Sequence, residues 1–168
     1  NEAILINTSG GLAGGDTVDI RAEVGYGASL TLTTQAAERV YRSLGPAASV
    51  AVSLRAAPAS QLFWMPQESI LFEGSALQRR IDIELAEDAT FLAVESMIFG
   101  RTEMGEAVQN VSVEDQWRVK RAGRLIHAEA FKLGPHWSNY AATFSDHRAT
   151  ATLILISPQA ERLVDKLR

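Results

Sequence analysis

Apolar and polar residues alternate with a period of two through most of this chain. Val18, Ile20, Ala22 and Val24 face one way and Asp19, Arg21 and Glu23 the other, the pattern of a half-buried strand. Gly25-Tyr26-Gly27 turns the chain, and Leu30 and Leu32 carry the next strand. Val50, Val52 and Leu54 repeat the scheme, with Ala57-Pro58-Ala59-Ser60 as the turn into Leu62, Phe63 and Trp64. Ile81, Ile83 and Leu85 lead through Glu87-Asp88 into Phe91, Leu92 and Val94; Val113, Trp117 and Val119 lead through Ala122-Gly123 into Leu125, Ile126 and Ala128. The strands after these turns begin near Leu30, Leu62, Phe91 and Leu125, about 30 residues apart, a spacing typical of stacked repeats. Strand-turn-strand units of this kind cannot bury a face alone and must stack on neighbours. The pattern predicts a mainly all-β protein whose repeats form two layered sheets in a sandwich or β-helical arrangement.

Two segments break the alternation. Ser157-Pro158 reads as an N-cap with proline at the first helical position, and Ala160, Leu163, Val164 and Leu167 share one face of the C-terminal helix this predicts. Gln35 to Leu44 places Ala36, Val40 and Leu44 on one helical face before Gly45-Pro46, yet it reads equally well as an outward continuation of the preceding strand. A third stretch, Asn7-Thr8-Ser9-Gly10-Gly11-Leu12-Ala13-Gly14-Gly15-Asp16, is a glycine-rich loop between strand patterns. A phosphate-binding loop needs Lys-Ser or Lys-Thr after the glycines and then a helix. Here Asp16 and a strand follow, so nucleotide binding by this loop is not expected.

Composition narrows the picture. The 168 residues, 46% hydrophobic and 21% charged, suffice for one domain with a real core, taken as residues 1–168. Without cysteine there is neither a disulfide nor a thiolate metal site, which fits a reducing, cytoplasmic setting. The net charge of −4 argues against nucleic acid as the main partner, and no apolar run is long enough to span a membrane as a helix.

His127, His136 and His147 are the best metal-ligand types present, but none forms a His-x-x-x-His or Glu-x-x-His pair. His127 alternates with Glu129, so both point the same way on a strand; Asp146-His147 has a carboxylate beside an imidazole it could orient. Gln67-Glu68 sits between two apolar strands, and Glu95 is flanked by apolar residues on both sides, positions where a charge projecting between sheets needs a partner. Arg39 or Arg42 could supply it. No nucleophile is visibly activated, and Gly-x-Ser-x-Gly is absent.

Asn7 to Asp16, Thr33-Thr34-Gln35-Ala36-Ala37 with Val40-Tyr41-Arg42-Ser43, Pro66 to Gly74, and Phe99-Gly100-Arg101 with Gly105-Glu106 together resemble the urease accessory protein D family, called H in some organisms. The similarity runs from Ile4 to at least Leu133, and the family usually extends further at both ends. The resemblance implies an all-β, partly β-helical scaffold without catalytic activity of its own. It implies accessory protein F, the GTPase G and apo-urease as partners, with a homodimer within the complex as one arrangement. It also implies no tightly bound cofactor, with nickel as transient cargo passing through the interior. On that reading Asp16, Gln35 and Glu68, which fall in the matched motifs, are transient oxygen ligands, with Glu95 added for its apolar neighbours, His147 for the adjacent Asp146, and Arg42 as a candidate counter-charge. The glycine loop and the C-terminal helix face are the docking surfaces. The competing readings are a carbohydrate-active enzyme on a β-repeat fold, against which the scattering of Trp64, Trp117 and Trp137 counts, and a structural adaptor with no metal role.

Overall fold

The computed structural model describes residues 1–101, 105, 106, 108–135 and 147–163. Among them lie β1 (Glu2–Leu5), β2 (Thr17–Val24), β3 (Ser29–Thr34), β4 (Glu38–Val40), β5 (Ala48–Ala56) and β6 (Gln61–Trp64). They are followed by β7 (Ser69–Leu71), β8 (Ala76–Leu85), β9 (Thr90–Phe99), β10 (Ser112–Arg121), β11 (Arg124–Leu133) and β12 (Ala149–Ile156).

The chain winds back and forth between two sheets. One holds β1, β3 with β4, β6 with β7, then β9 and β12; the other holds β2, β5, β8, β10 and β11. Each coil contributes a strand to both sheets, and pairing between coils is parallel from β1 through β10. Leu30 pairs with Leu62 and Leu62 with Phe91, so the spacing read from the sequence is the length of one coil of a two-sheet solenoid.

The repeating unit differs from the predicted one. The turns at Gly25-Tyr26-Gly27, Ala57–Ser60 and Glu87-Asp88 do not close hairpins; each carries the chain from one sheet to the other, because β2 pairs with β5 and not with β3. These arches stack on one another: Gly27 N donates to Pro58 O at 3.1 Å, and Ala59 N to the Asp88 carboxylate at 3.0 Å. The fourth copy is a true hairpin, with β11 folding back antiparallel on β10 so that Leu125 pairs with Lys120 and does not begin a further coil. Local backbone explains the difference. Ala122 and Gly123 both take positive φ, 48° and 77°, the two-residue turn whose twist matches an antiparallel pair. Ala122→Gly is therefore expected to relieve left-handed strain and stabilise the protein by about 0.5–1 kcal/mol, measured by urea unfolding.

Gln35 to Leu44 is not a helix: after a break at residues 35–37 it holds the short strand β4, parallel to β7. Among the described residues the predicted C-terminal helix is one 3-10 turn, Ala160–Leu163. Ser157 does cap it, its Oγ accepting from Gln159 N at 3.2 Å, but the turn is tight: Ala160 N donates to Ser157 O, three residues back. Val164 and Leu167 lie outside the described residues. Among those described, no helix is long and apolar enough to cross a membrane.

The interior divides into two apolar clusters. One, near the short arches, is built from Leu54, Leu62, Ile81, Ile83, Phe91 and Trp117; the other, near the longer corners, from Leu12, Val40, Leu71, Leu77, Phe99 and Val113. Inward-facing charged residues separate them on three strands: Arg79 between Leu77 and Ile81, Glu95 between Ala93 and Met97, Asp115 between Val113 and Trp117.

Candidate functional site

One sheet has a slot in it. The first coil leaves residues 6–11 unpaired between β1 and the Leu12–Val40 bridge, the second leaves residues 35–37 between β3 and β4, and the third leaves residues 65–68 between β6 and β7. In the fourth, β9 runs unbroken past the gap and closes the slot at Val94–Ser96. Glu95 thus stands at the blind end of three aligned interruptions, and those interruptions hold much of the glycine-rich, Gln35 and Gln67-Glu68 stretches.

Three cavities follow this line. The outermost, about 420 Å³, is lined by Asn7, Thr8, Gly10, Gly11, Gln35 and Glu38. Val18, Ile20, Thr34 and Glu38 also line the next, about 70 Å³, which reaches Trp64, Gln67, Arg79 and Glu95 between the sheets. Beyond Arg79 and Glu95 a third space of about 40 Å³, room for a water or two, is bounded by Asp115, Glu129, Thr150 and Thr152. Glu38 is held at the wall of the outer two by Asn7 Nδ2, which donates to both carboxylate oxygens at 3.0 Å.

The boundary between the inner two cavities is ionic. Arg79 reaches Asp115 with two nitrogens, Nε to Oδ1 at 2.9 Å and a terminal nitrogen to Oδ2 at 2.8 Å, and Glu95 with the third. Trp64 donates its indole N–H to the other oxygen of Glu95, and Trp117 donates to Asp115 Oδ2 at 3.2 Å. Arg79, Glu95 and Asp115 are 8%, 5% and 6% exposed. Burial pushes the Glu95 carboxyl above its usual range, against the pull of Arg79 and the Trp64 hydrogen bond. Burial opposes the Arg79 charge as well, but Glu95 and Asp115 hold the guanidinium above its usual value. One guanidinium is thus shared between two acidic side chains from opposite sheets.

The sequence-predicted residues separate on this frame. Glu95 is buried in the cluster and Gln35 lines the outer cavity. Glu68 is half-buried at the slot, where its carbonyl accepts from Glu38 N at 2.9 Å; it is its neighbours Pro66, Gln67 and Ser69 that line the inner cavity. Asp16 is exposed at the corner, its carboxylate accepting from Ala13 N at 2.7 Å to close the turn that ends the glycine loop. His147 is exposed and distant in sequence from all of these; Asp146 and His136 lie outside the described residues. Arg42 is not the counter-charge. It is exposed and its side chain lies against Gly74, whereas Arg79 projects between the sheets and pairs with Glu95. His127 and Glu129 do point the same way, with Nε2 3.6 Å from a Glu129 oxygen.

Sequence reasoning missed Glu38, Arg79 and Asp115, and named Glu129 only as the companion of His127. The signal for Arg79 and Asp115 was parity: each occupies an inward position in an alternating strand, where a charge must find a partner. Among the described residues no three of His, Asp and Glu converge as a metal cage. Trp64 and Trp117 are both buried, so neither offers a ring face to a sugar.

The corners beside the slot carry the remaining motif residues. Tyr41 packs edge-on against Phe72 with ring centroids 5.3 Å apart, and the Arg101 guanidinium lies 4.3 Å above the Phe72 ring. Glu73 accepts from Gln109 N at 2.7 Å, Asn110 N at 3.1 Å and Asn110 Nδ2 at 2.7 Å; Glu106 pairs with Arg101 at 2.9 Å. Partial burial raises the Glu73 carboxyl, but the three Asn110 and Gln109 bonds outweigh it and hold it below its ordinary value, as the Arg101 bond does for Glu106. Stabilisation from both is complete above the unfolded value, about 4.3, and is lost as pH falls through the lowered folded values. Hydrogen exchange at Gln109 and Asn110 is expected to accelerate in that acid window relative to exchange at Ile83, and Glu73→Gln to bring the same loosening at neutral pH.

A family model described as UreD urease accessory protein matches residues 1–168. This chain belongs to the UreD family. It is 45% identical to the urease accessory protein UreD of Chelativorans sp. (strain BNC1) over 169 residues, 99% of this chain and 61% of that protein. It is 48% identical to the urease accessory protein UreD 1 of Brucella abortus biovar 1 (strain 9-941) over 170 residues, again 99% and 61%, and 44% identical to the UreD of Methylobacterium sp. (strain 4-46). The chain thus spans about three fifths of the length of the UreD proteins it matches. The stretches that carried the resemblance are those that form the slot and its corners, so in this UreD chain they surround one opening into the solenoid.

Proposed function

We propose that this chain acts in urease maturation, as a scaffold that brings nickel to apo-urease. Its partners on this reading are accessory protein F, the GTPase G and apo-urease, and GTP hydrolysis belongs to G. The chain itself has no catalytic role, binds nickel only in transit and works in the cytoplasm. Family membership supports the maturation role. The run of cavities from the glycine-rich slot to Glu95 supports transit through the interior, since it sets oxygen atoms along a mostly apolar path without gathering them into a tight cage, the balance that lets an ion enter and leave.

Asp16, Gln35, Glu68 and Glu95 remain the proposed oxygen ligands, to which the cavity walls add Glu38 and Glu129; His147 is proposed as a peripheral ligand. The test is urease activation in cells carrying the whole urease cluster, with this chain present, absent or carrying Glu95→Gln. Absence is expected to leave urease polypeptide made but nickel-poor. Glu95→Gln, which keeps the side chain's shape, is expected to preserve co-purification with F and G while urease nickel content falls severalfold. Equal nickel loading in all three cells would refute the maturation role; normal loading in the variant alone would refute transit past Glu95. Glu68→Ala and Asp16→Ala, tested in the same assay, separate a ligand at the slot from a residue that only closes the corner turn.

A further inference from the structure

The interior path is interrupted by a cation of the protein's own. Arg79 stands where the inner two cavities meet, and both are lined by Arg79 and Glu95. Its two grips are unequal. Asp115 receives two parallel hydrogen bonds, the strongest arrangement an arginine and a carboxylate can make, whereas Glu95 receives one nitrogen. The two carboxylates also differ in position. Asp115 is the register partner of Arg79 on the adjacent strand of the same sheet, so their backbones are fixed together; Glu95 reaches across from the opposite sheet. Glu95 keeps a second support, the Trp64 indole, when the guanidinium leaves it.

We propose that Arg79 is the positioning residue that gates this path: anchored on Asp115, it occupies Glu95 with its third nitrogen and yields Glu95 to a divalent cation moving between the two cavities. The exchange is charge-compensated. A guanidinium that swings from Glu95 remains paired with Asp115, and the arriving ion neutralises the freed carboxylate, so at no point does either carboxylate stand buried and alone, the situation that costs most. A monovalent ion offers Glu95 no more charge than the guanidinium already does and lacks its directed hydrogen bonds, so the gate favours divalent ions. This rests on the transit reading above and adds the element that controls it.

Two tryptophans report on the two carboxylates, which makes the gate readable in the intact chain without a mutation. Zinc serves as a diamagnetic divalent probe in a titration followed by the indole N–H resonances of Trp64 and Trp117. The Trp64 resonance is expected to shift with saturation and to return when the metal is chelated, while Trp117, on the Asp115 that Arg79 never releases, stays in place. Potassium at matched ionic strength is expected to move neither. Glu95→Gln is expected to abolish the Trp64 response, and Arg79→Lys, which cannot hold Asp115 bidentately while reaching Glu95, to lower the zinc concentration at half response severalfold. No Trp64 shift, equal shifts at both indoles, an equal response to potassium, or a response that survives Glu95→Gln would each overturn the gate. A Trp64 response alongside normal urease loading by Glu95→Gln would leave the exchange of Arg79 for a divalent cation at Glu95 standing but refute transit, and with it the gating of a path, so the two failures are told apart.

Discussion

Arg79→Met destabilises this protein by about 3–5 kcal/mol, the expected cost of leaving a buried carboxylate without its partner, and here there are two. Urea unfolding followed by tryptophan fluorescence measures it. The companion variant Arg79→Met with Glu95→Gln and Asp115→Asn should recover most of the loss. It removes the charges together yet leaves an amide oxygen to accept each indole N–H, whereas apolar replacements would leave both indoles unsatisfied at about 1–3 kcal/mol apiece. If the single variant unfolded at the same urea concentration as the parent, Arg79 would not be the counter-charge of the cluster.

Gly11→Ala is the second large effect, about 3 kcal/mol, from overpacking on top of a backbone conformation that L side chains avoid. Gly11 has φ of 146°, and a Cβ there would come within 2.5 Å of the Tyr41 ring and 2.7 Å of the Arg39 carbonyl oxygen. Neither can give way freely. Leu12 N donates to that same carbonyl at 2.7 Å, and the Tyr41 hydroxyl donates to Gly10 O at 3.0 Å. Gly10→Ala is the control: it shares the positive φ, at 78°, but its Cβ would meet nothing within 4 Å, so only the backbone term of about 1 kcal/mol remains. Thermal unfolding of the two variants separates crowding from conformation, and equal losses would show that the approach of the loop to Tyr41 is unimportant.

The coil length was legible in the sequence because it is set by side-chain parity, which any half-buried strand displays. What a turn connects was not. Gly25-Tyr26-Gly27 and Ala122-Gly123 look alike as local chemistry, yet the first crosses between sheets and the second closes a hairpin; the difference lies in backbone sign, positive φ at both Ala122 and Gly123 but at Gly27 alone in the first turn, which residue types do not announce. The candidate site divides in the same way. Glu95 could be found because its apolar neighbours advertise burial, and Gln35 because it falls in a recognisable motif. Arg79 was hidden beside Arg80, one inward and one in solvent, and the sequence Gln78-Arg79-Arg80 reads as an exposed stretch unless parity is carried through from Leu77 to Ile81. Arg42 was chosen instead because it sits in a motif, but motif residues at the corners hold the loops together, and the charge that matters comes from a strand with no motif in it.

The parallel coils also set how this protein must come into being. Every ladder from β1 to β10 joins residues roughly one coil apart, so no strand finds its partner among its immediate neighbours, and loop closure must precede the contacts that reward it. The exception is the β10–β11 hairpin, which can close by itself on a timescale of about 1–10 μs and offer β10 as an edge. Assembly seeded there would lay β8 on β10, then β5 on β8, then β2 on β5, running against the order of synthesis. The coil that bears the glycine-rich slot would be the last to lock, and in a ribosome-bound chain it would wait, with its strand edges open, for its own C-terminal half to emerge.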